Sequence, residues 1–475
     1  MAREAAGEVA VIGAGWAGLA AAIHLARAGR SVRLIDAAPQ AGGRARRVSL
    51  NWKHPVHGAG PVDLDNGQHL LLGAYTEVLE LLELVGALDE ARLERRPMRL
   101  ASSSGLLMER PGYGSRRPGL TRASARLAPL AHLSPLIALL RAQGLSLAAR
   151  WAIMRVLVRL RLTGGLPPPG VTTVSEWYVQ ARQPQELIQR VWQPLVISAL
   201  NTPADRACAA TFLQVVRDSL GAAPEASDFI LPRRNLSDLF VDPAIDWLQR
   251  HGVHLMLRTD VRRVGRGTSS RYRIAAGNRR AEEPRMFDCD ELVVATPPYA
   301  AARLLTGLAD PSLVSQLNRF EYLPITTAYL GWPEHPLKPG LLLPSLLSLE
   351  GCEDSQRYAQ WFFDRGSQAH WRIASMVLSD SRTALELGDS RLADALIRQL
   401  MDELGLPPPP QLSLIHEKRA TFACTPDRPR LHADAAWRAL PGVALAGDYL
   451  CPMYPATLEA AARSGRMAAG TILRG

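Results

Sequence analysis

Apolar positions along the chain gather into short runs that end abruptly. Val9-Ala10-Val11-Ile12 stops at Gly13, Ser31-Val32-Arg33-Leu34-Ile35 at Asp36, Glu291-Leu292-Val293-Val294-Ala295 at Thr296-Pro297, and Val443-Ala444-Leu445-Ala446 at Gly447. Runs this short with little polar alternation predict strands buried on both faces, the habit of a parallel sheet. Two longer segments predict helices: the alanine-rich stretch from Leu19 to Ala28, closed by Gly29, and one opening at Tyr454 and running to about Leu473. Val253–Leu257 and Asp260–Val264 read as further strands. These pieces lie within 1–100, 230–300 and 415–475, which predict one discontinuous α/β domain of Rossmann type. Segments 101–229 and 301–414 are left to an interleaved α+β substrate domain, with plain breaks at Gly164–Gly170 and Pro407–Pro410.

Size and composition agree with that division. A chain of 475 residues exceeds one core of usual size, and 47% hydrophobic with 21% charged residues is the balance of a water-soluble globular protein. From Val9 to Ala26 no formally charged residue occurs for 18 positions, long enough to consider a spanning helix. The glycines inside that stretch, and a preceding Met1–Glu8 without net positive charge, argue for strand, turn and helix instead.

The formal charge is +10, yet lysine occurs only as Lys53, Lys338 and Lys418, so 52 of the 55 basic residues are arginine. With abundant alanine, leucine and proline, this is a compositional bias, and no nucleic-acid partner is expected. Cys208, Cys289, Cys352, Cys424 and Cys451 are odd in number, scattered and never in a CxxC pair. They point away from a disulfide framework and from a zinc site, and they fit a reducing cytoplasm.

The candidate chemistry begins at Gly13-Ala14-Gly15-Trp16-Ala17-Gly18, a GxGxxG turn set between a strand and a helix. Gly13 permits the tight turn, Gly15 lets backbone N–H groups approach a pyrophosphate, and Gly18 brings helix and strand together. Asp36, at the end of the second strand, offers a carboxylate to a ribose. Gly42-Gly43-Arg44 follows on a short loop and sets a bidentate cation where the chain makes a second approach to phosphates. The competing readings are a helix packed on incidental glycines and a turn with a surface arginine.

Between Glu109 and Glu176 there is no acidic residue but there are ten arginines: Arg110, Arg116, Arg117, Arg122, Arg126, Arg141, Arg150, Arg155, Arg159 and Arg161. A basic, leucine-rich stretch of this kind suits peripheral contact with an anionic membrane. At helical spacing, however, Arg150 and Arg161 fall nearly opposite Arg155 and Arg159, so the stripe is imperfect, and a helical lobe with solvated arginines competes.

The N-terminal pattern resembles that of the flavin amine oxidase and phytoene desaturase superfamily, a GR2-like group of flavoproteins that hold FAD. The resemblance implies that Gly447-Asp448 lies beside the flavin's ribityl and phosphate groups and that the helix from Thr457-Leu458 points its N-terminus at the pyrimidine end of the ring. It also implies that the backbone of Val261 meets the adenine, and that an acid and a glycine near Asp65 and Gly67 approach the ring. Tyr322–Tyr329 occupies the region where many amine oxidases place a lysine; none is there, which weighs against amine oxidation.

Asp65-Asn66-Gly67-Gln68-His69-Leu70-Leu71-Leu72-Gly73-Ala74-Tyr75 resembles one branch of that superfamily, the hydroxysqualene dehydroxylases. Trp192-Gln193-Pro194-Leu195 and Asn201-Thr202-Pro203 resemble it too. The branch implies reduction of a C30 allylic alcohol to squalene in hopanoid or related triterpene synthesis, with upstream squalene-pathway synthases as partners. It implies a place on the inner face of a bacterial cytoplasmic membrane. His69 and Asp65 are the candidate proton donors, with Tyr454 behind them; the competing structural reading has Asp65 capping the Asn66-Gly67 turn and His69 hydrogen-bonding backbone. Cys424 and Cys451 read as core residues rather than thioether links to the flavin. Two other functions stay open: a carotenoid-type or squalene desaturase, and a noncatalytic prenyl-lipid escort of the same architecture.

Overall fold

The computed structural model describes residues 7–110, 134–221, 224–268, 270–278, 283–334, 343–351 and 355–475. Arg116, Arg117, Arg122 and Arg126 of the basic stretch lie outside the described residues, as does Cys352.

Val9–Ile12 is the middle strand of a five-stranded parallel sheet. The order is His254–Met256, Val32–Ile35, Val9–Ile12, Glu291–Val294, Val443–Leu445. The strand is buried along its whole length, as the unbroken apolar run requires. Helix Trp16–Arg27 follows the glycine turn and packs against helix Leu458–Arg474 from the far end of the chain. A Cβ on Gly465 would lie 2.3 Å from the Ala17 carbonyl oxygen, so the two helix backbones meet where only glycine fits. The sheet thus draws its strands from segments more than 400 residues apart, and a core of Leu19, Ile23, Leu34, Ala462 and Ala469 holds the helices to it.

The second large sheet is antiparallel, in the order Leu346–Ser348, Trp361–Gln368, Trp371–Ser379, Tyr322–Pro333, Gln411–Phe422. The division drawn at 414/415 cuts through its last strand, which pairs with Tyr322–Pro333 from Gln411 to Phe422. Hairpin Arg47–His54 and Gly58–Asp65 packs on this sheet through Trp52, whose ring crosses over Gly331 beside Tyr329, Trp371 and Ile373. Beside the sheet stands a helical lobe that includes Leu147–Thr163, Gln193–Leu200 and Ala209–Val216, cored by Trp177, Trp192 and Phe212. Among the described residues no helix is long and apolar enough to cross a membrane.

Candidate active site

The three glycines of the first turn are needed for three different reasons. Gly13 holds φ at +110°, and a Cβ there would lie 2.3 Å from the Ala295 carbonyl oxygen. A Cβ on Gly18 would lie 1.8 Å from the Gly13 carbonyl oxygen, so this glycine lets helix and turn pack. Gly15 has φ −74°, open to any residue, and its Cβ would meet only the Gly43 Cα at 3.8 Å. The space beside Gly15 belongs to a cavity, not to the protein core. Helix Trp16–Arg27 starts there without a side-chain cap, which leaves first-turn N–H groups for an anion. Asp36 sits at the adjacent strand end; its carboxylate accepts from the Ala14 N–H at 2.6 Å and the Ala38 N–H at 2.7 Å, with lone pairs to spare for a ribose.

Across the turn, Gly43 takes φ +61° and brings Arg44 over the cavity. Arg44 donates to the Ala420 carbonyl and to Asp448 Oδ2, each at 2.7 Å, and so ties the two ends of the chain at one spot. Gly447 donates its N–H to Ser464 Oγ at 2.8 Å. Thr457 caps helix Leu458–Arg474 by accepting from the Ala460 N–H at 3.1 Å, and Thr457 and Leu458 both line the cavity at that helix's positive end. Val261 lines it as well, with its carbonyl held by Arg303 at 3.1 Å. A Cβ on Gly67 would meet nothing nearer than Thr327 Oγ1 at 3.8 Å, so the face of that loop is open to a flat ligand.

Gly13, Gly15, Asp36, Gly43, Arg44, Gly67, Val261, Gly447, Asp448, Thr457 and Leu458 all border one cavity of about 1770 Å³. Beyond the nucleotide end it opens into an apolar chamber lined by Leu195, Phe212, Val216, Trp361 and Phe363. Thr296 and Tyr449 border this cavity, while their hydroxyls are buried in the protein without a hydrogen-bonding partner among the described residues. The glycine-bared turn and the uncapped helix start fit a dinucleotide.

The family model for flavin containing amine oxidoreductases matches residues 16–473. The chain belongs to this family. A hydroxysqualene dehydroxylase of Rhodopseudomonas palustris is 28% identical, with 98% of each chain covered. Another, of Sinorhizobium fredii, is 25% identical with the same coverage. Among solved structures, an oxidoreductase from Methanosarcina mazei superposes with a TM-score of 0.67 over 98% of this chain and all of its own, at 14% identity, which speaks for the fold alone. The protein is therefore a flavin-dependent oxidoreductase of the flavin containing amine oxidoreductase family.

Within this member of the family, the two carboxyl and imidazole candidates fare differently. Asp65 is turned away from the cavity: Oδ1 accepts from the Leu236 N–H at 2.6 Å and Oδ2 from Arg365 at 3.1 Å, both inside the protein. Burial pushes its carboxyl up, against the opposing pull of Arg365 and the Leu236 N–H. Its place is structural, which corrects the donor role expected of it. His69 does line the cavity, but its Nδ1 is 2.7 Å from the Gly67 carbonyl oxygen. A carbonyl only accepts, so Nδ1 carries the hydrogen. Burial holds the imidazole below its ordinary range, leaving a neutral ring whose Nε2 presents a lone pair. His69 is thus both at the cavity, as the donor reading requires, and bonded to backbone, as the structural reading expects.

Tyr454 borders the cavity and donates to Asp218 Oδ2 at 2.8 Å, with Arg463 3.4 Å from its hydroxyl and Arg217 3.1 Å from the other Asp218 oxygen. Burial, then Asp218, pushes the phenol up to about 12. Sequence reasoning missed Asp218 and Arg463. Arg463 carries a readable signal, four residues after Glu459 on one helix face, to which it donates at 2.6 Å. Asp218 lies on a π-helical turn, Arg217–Gly221, with no local mark of its role. Cys424 and Cys451 are buried, and burial pushes both thiols up to about 11, the state of inert core residues.

Proposed function

We propose that the protein binds FAD and reduces hydroxysqualene to squalene, within hopanoid or related triterpene synthesis. The observation that carries this reading is that one cavity joins the nucleotide site to a large apolar chamber and also borders Tyr454, Asp218 and Arg463. When bound, the reduced flavin supplies the hydride. The chain does the rest: Gly13, Gly15, Asp36, Arg44 and Asp448 hold the dinucleotide, and Phe212, Trp361 and Phe363 wrap the hydrocarbon and keep water from an allylic cation. Tyr454 and Asp218, backed by Arg463, hold the substrate hydroxyl. The C–O bond breaks as the hydroxyl takes a proton and leaves as water, and a C–H bond replaces it. The side chains of Asp218 and Arg463 are 28% and 32% exposed, so this corner is open enough to deliver the proton and release the water.

The test is anaerobic incubation of chemically reduced enzyme with hydroxysqualene. Squalene should form as the flavin is oxidised; recovery of all the alcohol from enzyme whose flavin another acceptor reoxidises removes the reading. Tyr454→Phe should lower turnover by roughly 10²-fold with flavin content intact.

His69 favours a second reading. A neutral imidazole with an open Nε2 is the base that a carotenoid-type or squalene desaturase needs, and oxidised enzyme that introduces a double bond into a polyene would select it. A colourless protein unable to take up FAD would select the escort. On the dehydroxylase reading the substrate is a membrane lipid, and the protein works on the inner face of the cytoplasmic membrane, beside the synthases that supply it.

A further inference from the structure

Helix Leu147–Thr163 buries Ala149, Ala152, Ile153, Val156 and Leu160 against the helical lobe. Its other side carries an apolar ridge on which nothing among the described residues packs: Leu147 is 73% exposed, Trp151 70%, Val158 49% and Leu162 82%. At about 100° per residue these four fall within a sector of about 60°. Arg155 and Arg159, both exposed, run along one edge of the ridge and exposed Arg161 along the other. Measured against one another these arginines look scattered. Measured against the buried face they are the two shoulders of one stripe. Arg150 is drawn off the ridge to the carbonyls of Leu140 at 2.9 Å and Ala142 at 2.6 Å.

The helix carries no acidic residue; Glu186 reaches its N-terminal end at the Ser146 N–H. At its C-terminal end Arg217 donates to the Gly164 carbonyl, and Arg217 and Leu220 both border the cavity. The C-terminal end of the helix therefore adjoins the wall of the chamber through Arg217.

We propose that this ridge docks the protein on an anionic lipid bilayer and sets the chamber beside the leaflet. Tryptophan and leucine enter the acyl boundary while flanking arginines bend to the phosphates. A second copy of the chain would set arginine shoulder against arginine shoulder; an anionic bilayer meets them with the opposite charge. The placement of the chamber beside the leaflet rests on the isoprenoid-substrate reading, whereas the docking does not.

The test uses the flavin-loaded full chain, sedimented with phosphatidylcholine vesicles with and without phosphatidylglycerol. Binding should need phosphatidylglycerol and fall with salt. Trp151→Ser with Leu162→Ser should weaken it by about tenfold, and each of Arg155→Glu, Arg159→Glu and Arg161→Glu by at least about fivefold. Flavin absorbance and melting temperature, unchanged in these exposed variants, verify the fold. Unchanged vesicle binding in the variants overturns the proposal and assigns the contact to another part of the chain, such as 111–133. A dimer that the Trp151 and Leu162 substitutions dissociate, without effect on vesicles, overturns it in favour of a contact between copies. No turnover is read, so failure here leaves the dehydroxylase reading standing, and failure to make squalene leaves the docking standing.

Discussion

Gly15 and Gly18 sit three residues apart in one motif, yet substitution should separate them completely. Gly15 has φ −74° and ψ 178°, and an added Cβ meets only the Gly43 Cα at 3.8 Å. Alanine fits that backbone, and the loss of glycine's freedom from the unfolded chain should stabilise flavin-free protein by about 0.4–1 kcal/mol. The same Cβ enters the space from which N–H groups reach phosphate. A hydrogen bond to a charged oxygen contributes about 1.5–3 kcal/mol, so losing one weakens flavin binding by roughly 10- to 100-fold. Valine should exaggerate this to full loss. At Gly18 the Cβ would lie 1.8 Å from the Gly13 carbonyl oxygen, and the overpacking should cost about 1–3 kcal/mol before any cofactor is present. The assay pairs visible flavin absorbance per polypeptide with melting of the flavin-stripped proteins. Gly15→Ala should be pale and at least as stable as the parent, Gly18→Ala destabilised. Parental flavin content in Gly15→Val, or a destabilised flavin-free Gly15→Ala, refutes the reasoning.

Asp448→Asn should lower the stability of flavin-loaded protein by about 1–3 kcal/mol, less than a fully buried pair because Arg44 is 35% exposed, and an unchanged melting curve would count against the tie between the chain ends. His69 is held below its ordinary value of 6.5 by burial, so the unfolded chain takes up this proton first as pH falls. The stability of neutral His69 is thus fully present above about pH 6.5 and is lost as pH drops toward the folded value. His69→Gln should remove that part of the acid-side decline in melting temperature, and an identical pH profile in the variant would contradict a neutral buried ring. Acid precipitation should release all flavin into the supernatant; colour left on the protein would contradict the inert state of Cys424 and Cys451.

What the sequence made legible was local. The strand at Val9–Ile12, the glycine turn and Asp36 are marked by residues of one βαβ unit, where strand, turn, helix and partner strand follow one another along the chain. The 414/415 division failed for the opposite reason: Gln411–Phe422 belongs to the second sheet only through its pairing with Tyr322–Pro333. The Tyr454–Asp218 bond spans 236 positions and has no spacing to betray it. Asp65 was legible as an important residue and illegible in its role, because its partners Leu236 and Arg365 lie 171 and 300 positions away.

The same distinction explains the arginine helix. Helical periodicity gives the angle between any two residues, but the meaning of that angle depends on which arc the lobe covers, and the covering residues come from other elements. Once Ala149, Ile153 and Val156 are known to face inward, Arg159 and Arg161 change from opposed charges into paired edges of one surface. A residue's chemistry is thus written in the chain, while its direction is set by packing. In this protein, direction divides Asp65, locked into the interior, from Tyr454, whose hydroxyl reaches the chamber with Asp218 and Arg463 around it.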